Sequence, residues 1–491
     1  MPFLAPSPLE TLKARYGERY RWLLLTALMV GTIASIIPST SVNVAIPAIS
    51  AHFDLGQERA QWITSVFMVA STVAMLVTPW MLARFGYRAT YAWSIALLMV
   101  GGMLGGWAQH FELLLLARLA EGAAAGIVQP IPAVVILRAF APHEQGRAGG
   151  MFGLGVVLAP ALAPWLGGLL VDGLGWRSTF FMVVPPCLLA LWLAWKLVPS
   201  SGPQQSSANV PTGASAPPRL DVLGLCLVGV GTVALLNALV AFHHSHLLAA
   251  LWLGLALGSL TGFVLWQLRV LRGGGQPLMD LRLFGHRPFV MGCIVAFIYG
   301  TAMFGSTYLL PVFIQMGLGL SASAAGNLML PAGVVLAITI PLVGRMADTQ
   351  PTHWLVSLGM LLLALSFAWM LWAGPSMALW LLAAGIALGR VGLGFILPSL
   401  NLGAMRPLPR DDVAQGSSTI GFIRMLGGAV GVGLCGIVLE WRLDVHEANA
   451  ALSAEQARML AFHESFAMLT ALCLLAFVAA TQLRSPKKPA S

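Results

Sequence analysis

Residues 113–138 read Leu-Leu-Leu-Leu-Ala-Arg-Leu-Ala-Glu-Gly-Ala-Ala-Ala-Gly-Ile-Val-Gln-Pro-Ile-Pro-Ala-Val-Val-Ile-Leu-Arg. The stretch is apolar for longer than the roughly 20 residues a helix needs to cross a bilayer. It nevertheless holds one cation and one anion, Arg118 and Glu121, at i and i+3 in its interior. The whole chain shares its character: of 491 residues, 58% are hydrophobic and only 9% charged. A soluble domain carries about 25% charge, so a cytosolic enzyme, a nucleic-acid binder and a disordered chain are excluded. The five Cys all sit in apolar stretches, and their odd number and spacing give neither a disulfide framework nor a metal site.

Fourteen segments are long and apolar enough to span: 22–46, 60–82, 90–109, 113–138, 148–171, 179–198, 221–242, 248–269, 289–313, 323–345, 354–373, 377–403, 413–439 and 462–483. They share 53 Gly, the small residue that lets membrane helices approach closely. With the N-terminus inside, 20 of the 27 Lys and Arg fall on that side, four on the other, and Arg118, Arg390 and Arg424 within spans. This bias predicts an even number of crossings and cytoplasmic termini. Lys13, Arg15, Arg19 and Arg21 lead into a first span that lacks a cleavage site, so it reads as an uncleaved helix.

Polar breaks divide the chain as six spans, two spans and six spans. The expected units are an N-terminal six-helix bundle over 1–198, a cytoplasmic linker over 199–220, two extra helices over 221–269, a second linker over 270–288, a C-terminal six-helix bundle over 289–483 and a tail over 484–491. An internal repeat supports the division. Arg84-Phe85-Gly86-Tyr87-Arg88 follows the second span, and Gly344-Arg345-Met346-Ala347-Asp348 follows its counterpart. Arg118 precedes Gly122 by four residues, as Arg390 precedes Gly394. Repeated halves about a central pathway are a transporter architecture. The fold class expected is an all-α membrane protein with fourteen transmembrane helices.

Particular motifs sharpen this. Thr40-Ser41-Val42-Asn43-Val44-Ala45-Ile46-Pro47 closes the first span, Arg118-Leu119-Ala120-Glu121-Gly122 lies in the fourth, and Pro160, Pro164, Gly167 and Gly168 lie in the fifth. Gly175-Trp176-Arg177, Leu309-Leu310-Pro311 and Arg424-Met425-Leu426-Gly427-Gly428 follow. With these the chain resembles the 14-spanning drug:proton antiporters of the major facilitator superfamily, the EmrB/QacA type, over nearly its whole length. The resemblance implies a major facilitator fold and proton-coupled export. The chain departs from the family pattern at Pro38, where the family carries an Asp tied to proton and cation handling. It departs again at Ala83, where the loop motif has Asp, and at Ala163, where the antiporter motif has Gly.

Of the 18 acidic residues only Glu121 falls deep inside a span, roughly 13 Å below its outer edge. An ionisable group at that depth is a functional candidate by default. Burial disfavours its charge and Arg118 favours it, so Glu121 with Arg118 is the expected proton-coupling pair; a permanent ion pair that only locks packing is the other reading. Arg390 and Arg424 have no acid nearby in sequence. They are expected on the substrate pathway as an anion site, or else held by helix carbonyls. Thr40, Asn43, Gln129, Gln315 and Asn327 complete the expected pathway, with interhelical hydrogen bonding as their alternative role. Arg84, Gly86, Arg88, Gly344 and Asp348, with Pro160, Pro164, Gly167 and Gly168, form the expected conformational motifs.

His243-His244-x-His246 reads as a solvated outer loop rather than a metal site, and no phosphate-binding loop occurs, so no metal, cofactor, catalytic residue or ATP hydrolysis is expected. The outer loop 440–461 contains a capping-box pattern, Ser453-Ala454-Glu455-Gln456, from which a helix can start. It offers a docking place for a periplasmic adaptor, as permeases of the family have in tripartite pumps, or is a solvated cap. The function expected is proton-driven efflux of small amphipathic compounds across a bacterial inner membrane. The partners expected are a small-molecule substrate, protons and the lipid bilayer. The alternatives are a proton-independent or import-type transporter of anionic or zwitterionic solutes, a permease subunit of a tripartite pump, and a non-transporting membrane sensor or docking component.

Overall fold

The computed structural model describes residues 9–483 apart from 56, 200–219, 243–244, 321, 407, 410 and 449–451. The linker 199–220 (but for its two end residues), the tail 484–491 and His243-His244 therefore lie outside the described residues. Within them, the chain is helical almost throughout. The bilayer dictates this: with no water to satisfy backbone N–H and C=O groups, a spanning segment must bond internally.

Helix α1 is Tyr20–Phe53. Helix α2 starts as Gln57–Ala74, tightens at Met75–Val77 and enters Thr78–Gly106, whose path breaks at Gly86; α2 is thus 57–85 and α3 is 87–106. Gly86 has φ 76 and ψ 176, a region open essentially to glycine alone. Helix α4 is Phe111–Val128 with its continuation Ile131–Ala139, the ladder interrupted around Pro130. Then follow α5 (Gln145–Leu174), α6 (Ser178–Phe181 with Val184–Leu197), α7 (Val222–Ala241) and α8 (His246–Arg272). The second set is α9 (Arg287–Val312, with a π-helical turn at Phe313–Gly317), α10 (Ala322–Thr349), α11 (Thr352–Trp369), α12 (Leu379–Met405), α13 (Val413–Glu447) and α14 (Ala454–Thr481).

Among the described residues twelve stretches are long and apolar enough to cross a membrane, and one of them, the 45-residue Trp62–Gly106, takes in most of α2 and all of α3. The 30-residue, largely apolar α5 is also long enough to cross, which with the division of Trp62–Gly106 matches the fourteen expected. Burial follows the same logic. On α3, Trp93, Leu97, Val100 and Leu104 form an exposed stripe at helical spacing, opposite buried Ile95, Leu98, Gly101 and Gly105. Apolar side chains outward and small ones inward is the pattern of a helix bounded by lipid on one side.

One large apolar core joins α1, α3, α4 and α6 and another joins α9–α14, while α2 packs on α4 and α5 on α1. The α7–α8 hairpin packs along α13 and α2, at one seam between the halves, and α5 meets α10 at the other. Asp221 anchors the hairpin: it caps α7 at Gly224 N and accepts from Trp266 Nε1 (2.8 Å) and Gln267 Nε2 (2.7 Å) of α8.

Two expectations need correction. The outer segment 440–461 is not a long loop, because α13 runs on to Glu447 and α14 starts at Ala454. Ser453 and Gln456 do form the capping box, so the helix begins there at once. An ion pair between Arg442 and Glu464, joined by His446 at 3.0 Å from Glu464, binds the two projecting helix ends together. Likewise Gly344–Asp348 is not loop: it is the last full turn of α10.

Candidate functional site

Arg118 and Glu121 lie on one face of α4 and are both wholly buried. Arg118 Nη1 donates to Glu121 Oε2 at 2.9 Å and to the carbonyl of Pro38 on α1 at 3.1 Å. Its Nε donates to the carbonyl of Ile63 on α2 at 2.9 Å, and the guanidinium lies 4.4 Å from the centre of the Phe67 ring. One cation thus ties three helices together. Glycine makes the space: a Cβ at Gly101 on α3 would stand 2.9 Å from Glu121 Cγ, and one at Gly122 would stand 2.4 Å from the carbonyl oxygen of Phe67. The pair is incompletely satisfied, since Arg118 Nη2 and Glu121 Oε1 have no hydrogen-bond partner among the described residues. Pro38 takes the place of the family Asp but still contributes an acceptor, its carbonyl, to the pair.

A cavity of about 870 Å³, counting its open mouth, lies between the halves on the side of the termini. Gln129, Arg424 and Leu397 mark its end toward the bilayer centre, and Leu137, Gly149 and Met405 its inner end. Its walls are mostly apolar. The polar groups facing it are Thr32, Gln129, Asn401, Ser417 and Arg424. Ser417 Oγ donates across the halves to the carbonyl of Pro130, at the break in α4. Among the described residues no acid pairs with Arg424 and it donates no hydrogen bond.

The cavity therefore gathers Gln129 and Arg424 of the expected pathway but not the others. Asn43 faces the outer side and accepts from Thr64 of α2 at 3.0 Å, an interhelical bridge. Thr40 and Gln315 turn back onto their own helices, to the carbonyls of Ile37 and Pro311. Asn327 is exposed near the outer end of α10. Arg390 sits two turns beyond Leu397 on α12, outside the cavity, again with no hydrogen bond or acidic partner among the described residues. Buried Tyr299 of α9 lies close enough to Arg390 and Arg424 to feel both charges. Asn401, Ser417 and Tyr299 escaped the sequence reading. Polar type inside a span was the available signal for the first two, but nothing local marks Tyr299.

Of the expected conformational residues, Gly344 and Asp348 lie where α10 meets α5 at the inner side. Asp348 at the end of α10 accepts from the backbone N–H of Gly146 (2.5 Å) and of Arg147 (2.8 Å), the opening turn of α5. A carboxylate there satisfies amides that a helix start leaves unpaired and faces the positive end of its dipole. The helices touch backbone to backbone: a Cβ at Gly344 would stand 2.5 Å from Gly150 Cα, and one at Gly146 would stand 2.2 Å from the Gly344 carbonyl. Arg406 adds a bond to the carbonyl of Pro142 at 2.9 Å. Buried Arg88 ties the start of α3 to the Trp195 carbonyl on α6, whereas Arg84 is exposed. A Cβ at Gly167 would stand 3.2 Å from the Ser41 carbonyl oxygen of α1, while one at Gly168 would meet only Val44, at 3.9 Å. The α5 backbone stays helical through positions 160 and 164; the side chains of Pro160 and Pro164 lie outside the described residues.

At the opposite seam stands Ala83, where the family motif has Asp, and a second inner hollow of about 1420 Å³, counting the open solvent at its mouth, lies there. It is lined by Arg84, Arg138 and Asp411 and by the segment 276–282. That segment is fixed by Gln267 Oε1, which accepts from Leu278 N at 2.9 Å, and by Gln415 Nε2, which donates to the Pro277 carbonyl at 3.3 Å. Among the described residues no group of His, Cys, Asp and Glu is placed to hold a metal ion.

Residues 28–432 match the Major Facilitator Superfamily. The chain is 29% identical to the multidrug export protein EmrB of Haemophilus influenzae, over 86% of this chain and 81% of that one. It is 26% identical to the fatty acid resistance protein FarB of Neisseria gonorrhoeae, over 89% and 84%. The proton:xylose symporter XylE superposes with a TM-score of 0.65 at 13% identity, covering 94% of this chain and 95% of the other, a likeness of fold.

Proposed function

The chain belongs to the Major Facilitator Superfamily and is a multi-pass membrane transporter of small molecules, not an enzyme; from that premise we propose that it exports small amphipathic compounds in exchange for protons, by alternating access. Relatives named for multidrug export and fatty acid resistance support an amphipathic cargo.

The observation that carries proton exchange is Glu121, a fully buried carboxyl with one oxygen on Arg118 and the other without a partner. Protonation removes its charge and frees Arg118, whose remaining bonds reach α1 and α2. The acid thereby couples its own proton to the fit of three helices. The two states of the pathway differ at the α5–α10 clasp: with Asp348 on the α5 amides this seam of the inner side is held closed, and its release widens the way into the central cavity. Residues 1–198 and 289–483 act as the two moving halves, with α7 and α8 carried as an extra hairpin. Both termini lie in the cytoplasm of a bacterial inner membrane, and the joined outer ends of α13 and α14 are the surface a periplasmic adaptor would meet.

Purified protein in liposomes holding an internal pH-sensitive dye, with an imposed pH gradient, tests this. Added amphipathic compounds should drive proton flux in the wild type, and Glu121→Gln should abolish it. Transport without proton flux, or an unimpaired variant, would return Glu121 to a packing role.

A further inference from the structure

The central cavity is an apolar chamber with a lone cation at its deep end. Arg424 projects from α13 where Leu397 and Gln129 close the cavity toward the bilayer centre, while apolar Ile136, Phe152 and Ile420 line the rest. Every other mid-membrane charge in the N-terminal half is compensated, Arg118 by Glu121 at 2.9 Å. In the C-terminal half the position equivalent to Glu121 is Leu393, and among the described residues neither Arg390 nor Arg424 has an acidic partner. Arg424 is half-buried, and a guanidinium in a mostly apolar chamber that bonds no anion or acceptor among the described residues has its donors left for a ligand. A guanidinium also presents a planar fork of donors, which matches a carboxylate.

We infer that the cavity recognises an amphipathic monocarboxylate, its head on Arg424 with Asn401 and Gln129 alongside and its apolar body against Phe152, Leu397 and Ile420. Arg390 and Tyr299, two turns further along α12 and beside it on α9, receive the head when the cavity opens outward. A lipophilic ammonium would meet like charge at the same place and no acid to offset it. The inference deepens the export reading by naming the cargo class, and binding at Arg424 does not depend on proton exchange.

The test uses three probes of one shape and different head charge: 1-naphthylacetate, 2-(1-naphthyl)ethanol and 2-(1-naphthyl)ethylammonium. Binding is measured to the full-length protein in phosphatidylcholine nanodiscs, which hold no anionic lipid to compete. The wild type should bind the carboxylate about ten-fold or more tightly than the alcohol, as expected for a charge-assisted hydrogen bond, and the ammonium weakest. Arg424→Gln should erase the preference for the carboxylate over the alcohol and leave alcohol binding in place; Arg424→Lys should keep the preference in reduced form. The head-group order in the wild type stands as a test by itself if a variant does not fold. Equal binding of the three probes, an ammonium preference, or a preference that survives Arg424→Gln would overturn the assignment. A second measurement separates this failure from failure of the export reading. One carboxylate out for one proton in moves two charges in the same direction, whereas ammonium exchange moves none. Carboxylate transport in liposomes should therefore respond to an imposed potential, even without a pH gradient. Carboxylate binding with no transport would sink the export reading and leave the site standing.

Discussion

Arg118 and Arg390 occupy matching places in the two halves, each four residues before a glycine that packs its helix onto the next, Gly122 on α2 and Gly394 on α10. Around Arg118 the protein has built three acceptors, from Pro38, Ile63 and Glu121. Around Arg390 it has built none among the described residues, and Leu393 stands where the acid would be. A repeat that keeps its cation in both halves and its anion in one has separated two tasks. In the proposed export cycle the N-terminal half carries a charge that a proton neutralises, and the C-terminal half carries charge left for a ligand to neutralise. The inner seams differ in the same way. Asp348 clasps α5 at one, while at the other Ala83 leaves the position empty and the segment 276–282 fills part of the gap.

The largest expected effect breaks the first contrast. Glu121→Ala strands a wholly buried guanidinium and should destabilise the protein by about 3–5 kcal/mol, whereas Arg390→Leu removes a cation with no partner to strand and should cost under about 1 kcal/mol or stabilise. Thermal unfolding of both variants in nanodiscs checks this, and equal losses would dissolve the distinction between the halves.

Next in size is the clasp. Asp348→Ala removes two charge-assisted bonds, each worth about 1.5–3 kcal/mol. The inner side should then open, and a cysteine placed at Gly149, where a side chain meets nothing within 4 Å, should react with a water-soluble maleimide at least about ten-fold faster. Exposed Cys226 is removed first to clear the background. Ala83→Asp supplies the missing acid at the other seam and should slow the same reaction, by a smaller factor.

Leu393→Glu would give Arg390 an acid at i+3, copying the N-terminal half. Carboxylate transport should fall several-fold while binding at Arg424 holds. An unchanged rate would remove Arg390 from the path.

The smallest effect concerns the segment 276–282. Asp280, though its burial opposes it, is held below the ordinary carboxylate range by Arg282 at 2.7 Å. A depressed acid contributes stability that is complete above its unfolded value, about 3.9, and is lost as pH falls through its folded value. Limited proteolysis within 270–288 should therefore be constant from neutral pH to about pH 4 and rise only in stronger acid. Asp280→Asn should show the acid-state rate at every pH.

The spans, their number and the Arg118–Glu121 pair were legible because hydropathy, the Lys and Arg bias and an i, i+3 spacing are local signals. The Ser453–Gln456 cap was legible for the same reason. What was not legible is whatever depends on two halves meeting. Asp348 acts on amides some 200 residues away, and its helix position made it look like loop because polarity, not backbone shape, was what the sequence displayed. The outer ends of α13 and α14 misread identically: a helix that leaves the bilayer turns polar without ending. Asn43 and Gln129 looked alike as polar residues in spans, yet one bridges α1 to α2 and the other faces the cavity. Which way a side chain turns is set by its neighbours in space.

The contact between Gly146, Gly150 and Gly344 has a consequence for rate. When two ordinary helix faces dock, their side chains give up rotamers, and parting them gives the freedom back; glycine has none to give up. Opening and closing this seam therefore changes almost no side-chain entropy. At these glycines the free-energy gap between the two states is left to the Asp348 hydrogen bonds and the packing of the two helices beside them, so one carboxylate can act as the latch of a joint that closes backbone on backbone.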